Sequence, residues 1–327
     1  MTHLQRRRFL WLAGVAVAAP FVAGRAVAQN YPVRPVRVIV AYAPGGVTDI
    51  LTRLIVAKMG EQLGRQFYVE NLPGGSGNIG MGQAAKAPPD GYTLLGAFAA
   101  LAINPLLFEK TPYDPIKDFD PISLAATSTT ILVVNPTISA KSVDELVALV
   151  RANPGRYSYS SAGTGTQSHL AGEQFRTSFG LDIVHVPFNG GSPAIAAVVA
   201  GHTPVGFATP TAAAPHIQDG KLRGIAVTSK QRSRALPQVA TMTEAGYPEI
   251  EGDSWVGFVA PAGTPKDVVA LLNREIVQAM ALPNIQERLV ALGYDPVAST
   301  PEALGMQIKA DIVAWAKVIR AANIKVQ

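Results

Sequence analysis

The chain contains no cysteine and few charged side chains. Among its 327 residues, Asp, Glu, Lys and Arg together make up only 16%. Without cysteine there is no disulfide framework, no thiolate metal site and no cysteine nucleophile. Hydrophobic residues reach 48%, which is typical of a folded protein with a large core. The length is sufficient for two domains of ordinary size.

The motifs of common hydrolases and metalloenzymes are also missing. The sequence holds no G-x-S-x-G nucleophile elbow and no H-E-x-x-H zinc motif. The five histidines are scattered, and only His169 follows a glycine-rich segment. The sequence therefore predicts a protein that is not an enzyme and needs no cofactor or metal. The alternative is an exported hydrolase that uses His169 with Ser168 or Ser161.

The longest apolar run lies at the N-terminus. Arg6-Arg7-Arg8 precede apolar residues 9–23, and Ala26-Val27-Ala28 has the small-x-small pattern of a cleavage site. This pattern predicts a signal peptide over residues 1–28, cleaved after Ala28. The string RRRFL at 6–10 also resembles a twin-arginine export signal. The run is too short for a membrane span.

Removal of the signal peptide would leave a nearly neutral chain. Four of the 28 basic residues and none of the 23 acidic residues lie in 1–28, so 24 basic residues remain and the net charge is +1. Nucleic acids bind to strongly basic protein surfaces, and a nearly neutral chain does not have the excess of basic residues that forms one. No nucleic-acid partner is predicted.

A strand, a glycine-rich turn and a helix follow one another three times. The three units span residues 36–63, 66–86 and 157–179, and their turns are PGGVTD, LPGGSGN and SAGTGTQS. Thr48 or Asp49 is the expected N-cap of the first helix. Each helix N-terminus presents unpaired N–H groups and the positive end of a dipole. Three such ends predict a backbone-built anion site.

The second turn also matches a dinucleotide fingerprint. Gly75, Gly77 and Gly80 have the G-x-G-x-x-G spacing, which expects an acidic residue after the following strand to bind the ribose. The following strand, residues 92–97, continues into FAAL without an acid. The absence of this acidic residue argues against a nicotinamide or flavin site.

Local composition predicts two further features. Residues 104–121 are rich in Pro, Asp and aromatic residues, which is typical of an irregular segment packed against the first domain. Ser142 is followed three residues later by Glu145, and this spacing predicts a capping box at a helix start.

Two apolar segments are predicted to cross between domains, one near residue 128 and one near residue 256. They predict a discontinuous first domain, residues 29–127 plus 257–327, and a second domain, residues 128–256. Strands that alternate with helices predict an α/β fold with parallel-type sheets. A ligand cleft is expected between the domains, at the carboxyl ends of the strands.

The motifs, in their order, resemble one family of exported receptors. They are YAPGGVTD at 42–49, NLPGGSGNIG at 71–80, PDGYTL at 89–94, YSSAGTGT at 159–166, SHLAGE at 168–173, VPFNGGSPA at 186–194, GKLR at 220–223, EAGYP at 244–248 and APAGTP at 260–265. The resemblance covers nearly all of the chain after the signal peptide. The chain is identified as a member of the Bug family, the TctC-like extracytoplasmic solute receptors of tripartite tricarboxylate transporters.

The resemblance implies a two-domain, type II periplasmic-binding-protein fold that closes on a small carboxylate in the periplasm. The ligand class is a dicarboxylate, an amino acid or an aromatic acid, captured for uptake or sensing. The implied partners are the two membrane subunits of a tripartite transporter, and the receptor itself is expected to be a monomer.

In this family, backbone amides and hydroxyls of the glycine-rich loops hold the ligand carboxylate. Carried onto this chain, the resemblance points to Gly45, Gly46, Thr48, Asp49, Ser76, Gly77, Asn78, Ile79, Ser161, Gly163, Thr164 and Thr166, with Phe188 as a wall. The chain departs from the family pattern at Val47, where a small residue is usual. It also has Ala197 and Gly206 in a region where many members carry acids.

None of the three glycine-rich turns contains Lys or Arg. Burying an unpaired carboxylate costs several kcal/mol. Backbone amides at helix ends hold one carboxylate well, or two if they converge from opposite domains. The sequence therefore predicts a mono- or dicarboxylate ligand rather than a tricarboxylate such as citrate.

Overall fold

Two β-sheets organise the protein, and each is buried on both faces. The structure is a computed structural model that describes residues 31–324. The predicted signal peptide, residues 1–28, lies outside the described residues. The strands and helices of the described part follow in chain order.

The first part of the chain contains β1 (Val36–Val40), α1 (Val47–Leu63), β2 (Phe67–Asn71), α2 (Asn78–Ala85), β3 (Thr93–Phe98), α3 (Ala100–Leu107) and β4 (Phe119–Ser128). The middle part contains β5 (Ile131–Val134), α4 (Val143–Arg151), β6 (Ser158–Ser161), α5 (Gln167–Phe179), β7 (Val184–Pro187), α6 (Gly191–Val199), β8 (Val205–Ala208), α7 (Pro210–Gln218) and β9 (Arg223–Val227). The last part contains β10 (Ser254–Pro261), α8 (Lys266–Met280), α9 (Pro283–Ala291), β11 (Asp295–Pro296) and α10 (Pro301–Ala322).

The two sheets share one strand order. The first runs β11-β4-β10-β3-β1-β2, and the second runs β7-β6-β8-β5-β9. Apart from the short β11, each sheet has three successive parallel strands, then one reversed strand, then a final strand. In both sheets the first parallel strand of the chain lies between the other two, with strand-to-strand crossovers made by helices.

The prediction of parallel-type sheets is correct for these trios and wrong for the reversed strands. β10 is antiparallel to both β3 and β4, and β5 is antiparallel to both β8 and β9. β5 and β10 are the first strands after the chain passes from one sheet to the other. Each therefore enters its new sheet from the opposite direction and runs antiparallel to its neighbours. The alternation of strands and helices in the sequence does not reveal this reversal.

The strands are apolar on both faces because helices cover both faces. In β1, Val36 and Val38 pack into one core, while Ile39 packs into another on the opposite face. In β5, Ile131 and Leu132 likewise belong to separate cores. Successive side chains of a strand point to opposite faces, so a continuous apolar run indicates burial from both sides.

Helix α3 corrects the prediction of an irregular segment over residues 104–121. The helix occupies the start of that segment and includes Pro105 in its second half. Leu101 and Ile103 are buried against the first sheet, and this burial outweighs the unfavourable proline. The predicted N-cap Ser142 is confirmed, since its Oγ accepts the N–H of Glu145 at 3.2 Å.

The division of the chain into the two predicted domains stays a proposal. The chain passes between the sheets twice, once from Ser128 to Ile131 and once between Val227 and Ser254. Ser254 already pairs with Ser128 in the first sheet. The strand pairing thus favours an end of the second domain slightly before residue 256.

Close backbone packing at Gly80 provides a test of how α2 is positioned. A Cβ at Gly80 would lie 2.8 Å from the carbonyl oxygen of Leu72 and 2.9 Å from Cα of Ala41. We expect Gly80→Ala to lower the free energy of unfolding by about 2 kcal/mol, because backbone atoms move only with strain. This loss exceeds the gain in helix propensity, which is about 1 kcal/mol.

The matched control is Gly191→Ala, at the first position of α6. A Cβ there has its nearest neighbour at 3.6 Å, in ordinary contact. Urea unfolding of both variants and the wild type measures the difference. If Gly80→Ala is as stable as Gly191→Ala, α2 does not depend on this contact.

Candidate functional site

A cavity of about 390 Å³ lies between the two sheets. Residues from both sheets and from the first connection line it. They are Tyr42, Ser76, Phe98, Ala100, Ile103, Asn104, Leu107, Phe108, Thr129, Thr130, Ala162, Thr164, Gly165, Thr166, Gln167, Ser168, Thr209, Ser254 and Tyr294. None of these described lining residues carries a charged side chain. Volumes of this size are typical of small-ligand sites.

Four helix starts contribute to the lining. Ala100 is the first residue of α3, Thr166 is the N-cap of α5, Thr209 is the N-cap of α7, and Ser76 precedes the N-cap of α2. α2 and α3 belong to the first sheet, whereas α5 and α7 belong to the second. The positive ends of their dipoles give the cavity a preference for an anion without a cationic side chain.

The start of α5 offers free donors. Oγ1 of Thr166 accepts the N–H of His169 at 3.4 Å, and the Thr166 carbonyl accepts that of Leu170 at 2.9 Å. The N–H groups of Gln167 and Ser168, at the first two helical positions, have no acceptor within the helix. These two amides are therefore available as donors to a bound group.

Side chains fix the loop that leads into α5. Oγ1 of Thr166 donates to the carbonyl of Gly163 at 2.6 Å, and the N–H of Ala162 donates to Oγ of Ser168 at 2.9 Å. Gly163 has a φ of 132°, a value that L side chains rarely adopt. The loop is thus ordered before any ligand binds, which lowers the entropy cost of binding.

Ser76 adopts a strained backbone conformation at the cavity. Its φ of 56° and ψ of 31° lie in the left-handed region. Nδ2 of Asn104 donates to the Ser76 carbonyl and to Oδ1 of Asn78, both at 2.9 Å. Gly77 follows, and a Cβ there would lie 3.2 Å from Oη of Tyr42. Strain that the surroundings hold in place is frequent at binding sites.

Large apolar side chains form the rest of the wall. The rings of Tyr42 and Phe98 meet edge to face with centroids 5.9 Å apart, and Leu107 and Phe108 of the α3 region lie beside them. Burial raises the pKa of the Tyr42 phenol well above its usual range. At neutral pH this wall therefore carries no charge.

Of the predicted site residues, the structure places Ser76, Thr164 and Thr166 in the cavity lining. Three more support the lining from behind. Gly77 and Asn78 follow Ser76 directly, and Gly163 accepts the hydroxyl of Thr166.

Three predicted residues lie outside the lining. Ile79 is 58% exposed at the protein surface. Ser161 is fully buried, and its Oγ lies 2.7 Å from Nε2 of His185. Phe188 is half-buried, and its N–H donates to the carbonyl of Ser161.

The first glycine-rich turn also lies outside the lining, apart from the preceding Tyr42. Gly45 and Gly46 are exposed, whereas Thr48 and Asp49 are buried in the first turn of α1. The predicted N-cap, Thr48 or Asp49, is wrong, because α1 begins at Val47 and Gly46 is its N-cap.

Asp49 has a structural role in this turn. Its carboxylate accepts hydrogen bonds from the N–H of Gly45 at 2.9 Å, from Nε of Arg53 at 2.9 Å and from Nδ2 of Asn71 at 2.8 Å. Burial alone would raise the pKa of Asp49, but the hydrogen bonds from Arg53, Gly45 and Asn71 lower it below its usual value. With its oxygens occupied, Asp49 holds the turn in place.

Sequence reasoning missed most of the apolar wall and the residues near the connections. Phe98 is the last residue of β3, Ile103 and Phe108 follow in and directly after α3, and Ser254 and Tyr294 lie in the last part of the chain. The sequence contained a pattern that could have identified Phe98, Ile103 and Phe108. They belong to an apolar run at the carboxyl end of a parallel strand, which is where ligands bind in α/β proteins. No local pattern marked Ser254 or Tyr294.

A histidine pair lies behind the α5 loop. The rings of His169 and His185 stack with centroids 4.0 Å apart, and Nδ1 of His169 accepts the N–H of Gly165 at 3.0 Å. No hydrogen bond joins His169 to Ser168 or Ser161 in the described part of the chain. Between residues 31 and 324, no cluster of three or more His, Asp or Glu residues has the geometry to hold a metal.

Two α/β units that present helix N-termini to a shared cavity define a solute-binding receptor. The model of the family described as "Tripartite tricarboxylate transporter family receptor" matches residues 51–324, and the chain belongs to this family. The predicted two-domain fold and solute-binding function are thereby confirmed. Because the relatives are binding receptors, the hydrolase alternative is not supported.

Individual relatives agree with this assignment. Protein BugT of Bordetella pertussis is 34% identical over 98% of this chain and 99% of its own length. A solved structure of a periplasmic transporter is 41% identical, covers 91% of this chain and 100% of its own, and has a TM-score of 0.74. The structure of R. palustris Rpa4515 with adipate is 32% identical, covers 90% and 99% of the two chains, and also has a TM-score of 0.74.

The histidine pair predicts a pH dependence of stability. Burial and the neighbouring His169 lower the pKa of His185 from 6.5 to about 4, although Glu173 opposes the shift. The unfolded chain therefore binds more protons at His185 between these two pH values. We expect wild-type stability, measured against His185→Gln, to fall as the pH drops from 6.5 towards 4. Partial exposure of the ring limits the effect to about 1 kcal/mol.

Urea unfolding at pH 7 and pH 5 measures this difference, and the comparison cancels the titration of other groups. His202→Gln, at an exposed position, is the matched control and should follow the wild type. If the wild type and His185→Gln lose stability in parallel, His185 protonates freely in the folded protein.

Proposed function

We propose that this receptor captures a small mono- or dicarboxylate in the cavity between its sheets. The observation that carries the proposal is the composition of that cavity. Helix starts from both sheets and several hydroxyls line it, and its described lining residues include no charged side chain. Backbone donors at helix ends stabilise one negative group, and charged hydrogen bonds of this type contribute about 1.5–3 kcal/mol each.

The same composition disfavours other solutes. A cationic ligand would meet the positive ends of several helix dipoles without a carboxylate to pair with. A tricarboxylate would leave at least one buried carboxylate unpaired, which costs several kcal/mol. The solved relative Rpa4515 holds adipate, a dicarboxylate, which supports the same ligand class here.

The proposal includes export and transfer to a membrane complex. Arg6-Arg7-Arg8 and the apolar residues after them support a signal peptide cleaved after Ala28, by a twin-arginine or a related route. The mature receptor then acts in the periplasm and delivers its ligand to the two membrane subunits of a tripartite transporter. In the described part of the chain, every helix lacks the length or the hydrophobicity needed to span a membrane.

Calorimetry with succinate, adipate, glutamate, benzoate and citrate tests the ligand class. We expect at least one mono- or dicarboxylate to bind with a micromolar Kd, and citrate to bind more weakly. Thr166→Ala should weaken the best ligand about tenfold, because it removes the cap that orders the free amides of α5. It should also lower stability by about 1 kcal/mol.

Thr300→Ala is the matched control for this variant. Thr300 caps α10 by accepting the N–H of Ala303 at 3.3 Å, and it is exposed away from the cavity. It should cost similar stability and leave the affinity unchanged. If no carboxylate binds, or if both variants weaken binding equally, the proposed site is wrong.

Ligand binding should also change the shape of the protein. A carboxylate held by helix starts from both sheets draws them together about the two connections, at Ser128–Ile131 and before Ser254. Small-angle scattering should show a smaller radius of gyration with the best ligand at saturation, and no change with a carboxylate that fails to bind. An unchanged radius with saturating ligand would exclude closure of this kind.

A further inference from the structure

We infer that the ligand is a monocarboxylate with a ring-sized apolar body that carries one neutral hydrogen-bond donor, such as a hydroxybenzoate. This inference rests on the proposed function and narrows its ligand class. It depends on three features of one cavity: two unpartnered polar atoms, an apolar aromatic wall, and donors for a single carboxylate.

The first feature is a pair of buried polar atoms that lack a partner. Ser254 is only 6% exposed, and its Oγ forms no hydrogen bond within residues 31–324. Oε1 of Gln167 is likewise buried and unpartnered in the same range. Both residues line the cavity. Buried polar atoms without partners are costly, and where they line a cavity a bound group can supply the missing hydrogen bonds.

The orientation of Gln167 shows what the missing partner must supply. Its Nε2 donates to the carbonyl of Gly252 at 2.9 Å, so the amide cannot be flipped without losing this bond. The atom left over is therefore an oxygen, which only accepts. The Ser254 hydroxyl accepts as well as donates. A hydroxyl or amino group on the ligand satisfies both atoms.

Tyr294 contributes to the same corner of the cavity. Burial raises the pKa of its phenol to about 12, and hydrogen bonding from the Ser254 side chain offsets part of that rise. The contact between the two hydroxyls does not reach normal hydrogen-bond geometry, so Oγ of Ser254 still has no such partner within residues 31–324. A second ligand carboxylate here would meet a neutral phenol, a hydroxyl and an amide oxygen, with no cation to pair with. A neutral ligand group avoids this cost.

The second feature is the apolar wall. Tyr42, Phe98, Leu107 and Phe108 present rings and aliphatic groups to the cavity. Aromatic walls favour a flat apolar body through edge and face contacts, beyond the gain from burying area. A short polar acid such as malate or aspartate would leave this wall without a partner.

The third feature is a group of donors that suits one carboxylate. Gln167 and Ser168, whose amides have no acceptor within α5, line the cavity, and α3 adds a second helix start at Ala100. These donors suit one anionic group. The remaining polar atoms of the lining are hydroxyls and amides, which suit neutral groups.

Calorimetry with benzoate, 3- and 4-hydroxybenzoate, terephthalate and adipate tests the inference. The better hydroxybenzoate should bind about tenfold more tightly than benzoate, since its hydroxyl donates to Oε1 of Gln167 and accepts the hydroxyl proton of Ser254. Terephthalate replaces the hydroxyl by a carboxylate and should bind more weakly than either. Adipate should bind more weakly than the hydroxybenzoate.

Two serine variants test whether the gain in affinity from the ligand hydroxyl arises at Ser254. Ser254→Ala should reduce the affinity for the hydroxybenzoate towards that for benzoate, because the ligand hydroxyl keeps Gln167 as its only partner, and it should change the affinity for benzoate much less. Ser160→Ala is the matched control: Ser160 is fully buried and its Oγ is also unpartnered within the described residues, but it lies outside the cavity lining. It should leave both affinities unchanged.

The outcomes separate this inference from the proposed function. If adipate or terephthalate binds most tightly, or if Ser254→Ala weakens both benzoates equally, the inference is overturned and a carboxylate receptor remains. If an aliphatic or amino acid binds and no benzoate does, the inference is likewise overturned. If no carboxylate binds at all, the proposed function falls as well.

Discussion

The direction of the parallel strands is the constraint on which the site depends. A parallel strand buried on both faces must be followed by a crossover, and here the crossovers are helices that begin beside the carboxyl end of the strand. Every loop that follows β1, β2, β3, β6 and β8 therefore emerges at the side where the sheets face each other. Residues at or directly after the end of each of these strands line the cavity, from Tyr42 after β1 to Thr209 after β8. The cavity is a consequence of strand direction, repeated in both sheets.

The helix starts attract an anion without help from charged side chains. The charged side chains near the cavity instead stabilise the loops around it. Asp49 and Arg53 hold the first turn, and Glu173 accepts hydrogen bonds from Tyr159 and Arg176 behind the α5 loop. These charges order the loops without entering the cavity. A neutral, preordered lining suits a receptor, since a fixed cationic side chain would pay a larger desolvation cost each time a ligand binds or leaves.

The sequence predicts the elements and the fold well, and the site only in part. Apolar runs and glycine-rich turns locate β1 to α2 and β6 to α5, because these patterns are local. Which loop atoms face the cavity depends on packing: Thr48 and Ser161 look like ligands in the sequence, yet they are buried in their own units. The reversed direction of β5 and β10 depends on how the chain passes between the sheets. Ser254 owes its place to this passage, so no neighbouring motif could mark it.

The segment between β9 and β10, which returns the chain to the first sheet, is joined to the cavity lining at one backbone group. The Gly252 carbonyl accepts hydrogen bonds from Gln167 at 2.9 Å and from Thr228 at 3.0 Å. A Cβ at Gly252 would lie 2.5 Å from the ring of Trp315 in α10, so only glycine fits between α10 and α5. Two residues later, Ser254 reaches the cavity. A ligand that binds Gln167 and Ser254 thus acts directly on the segment about which the two sheets would close.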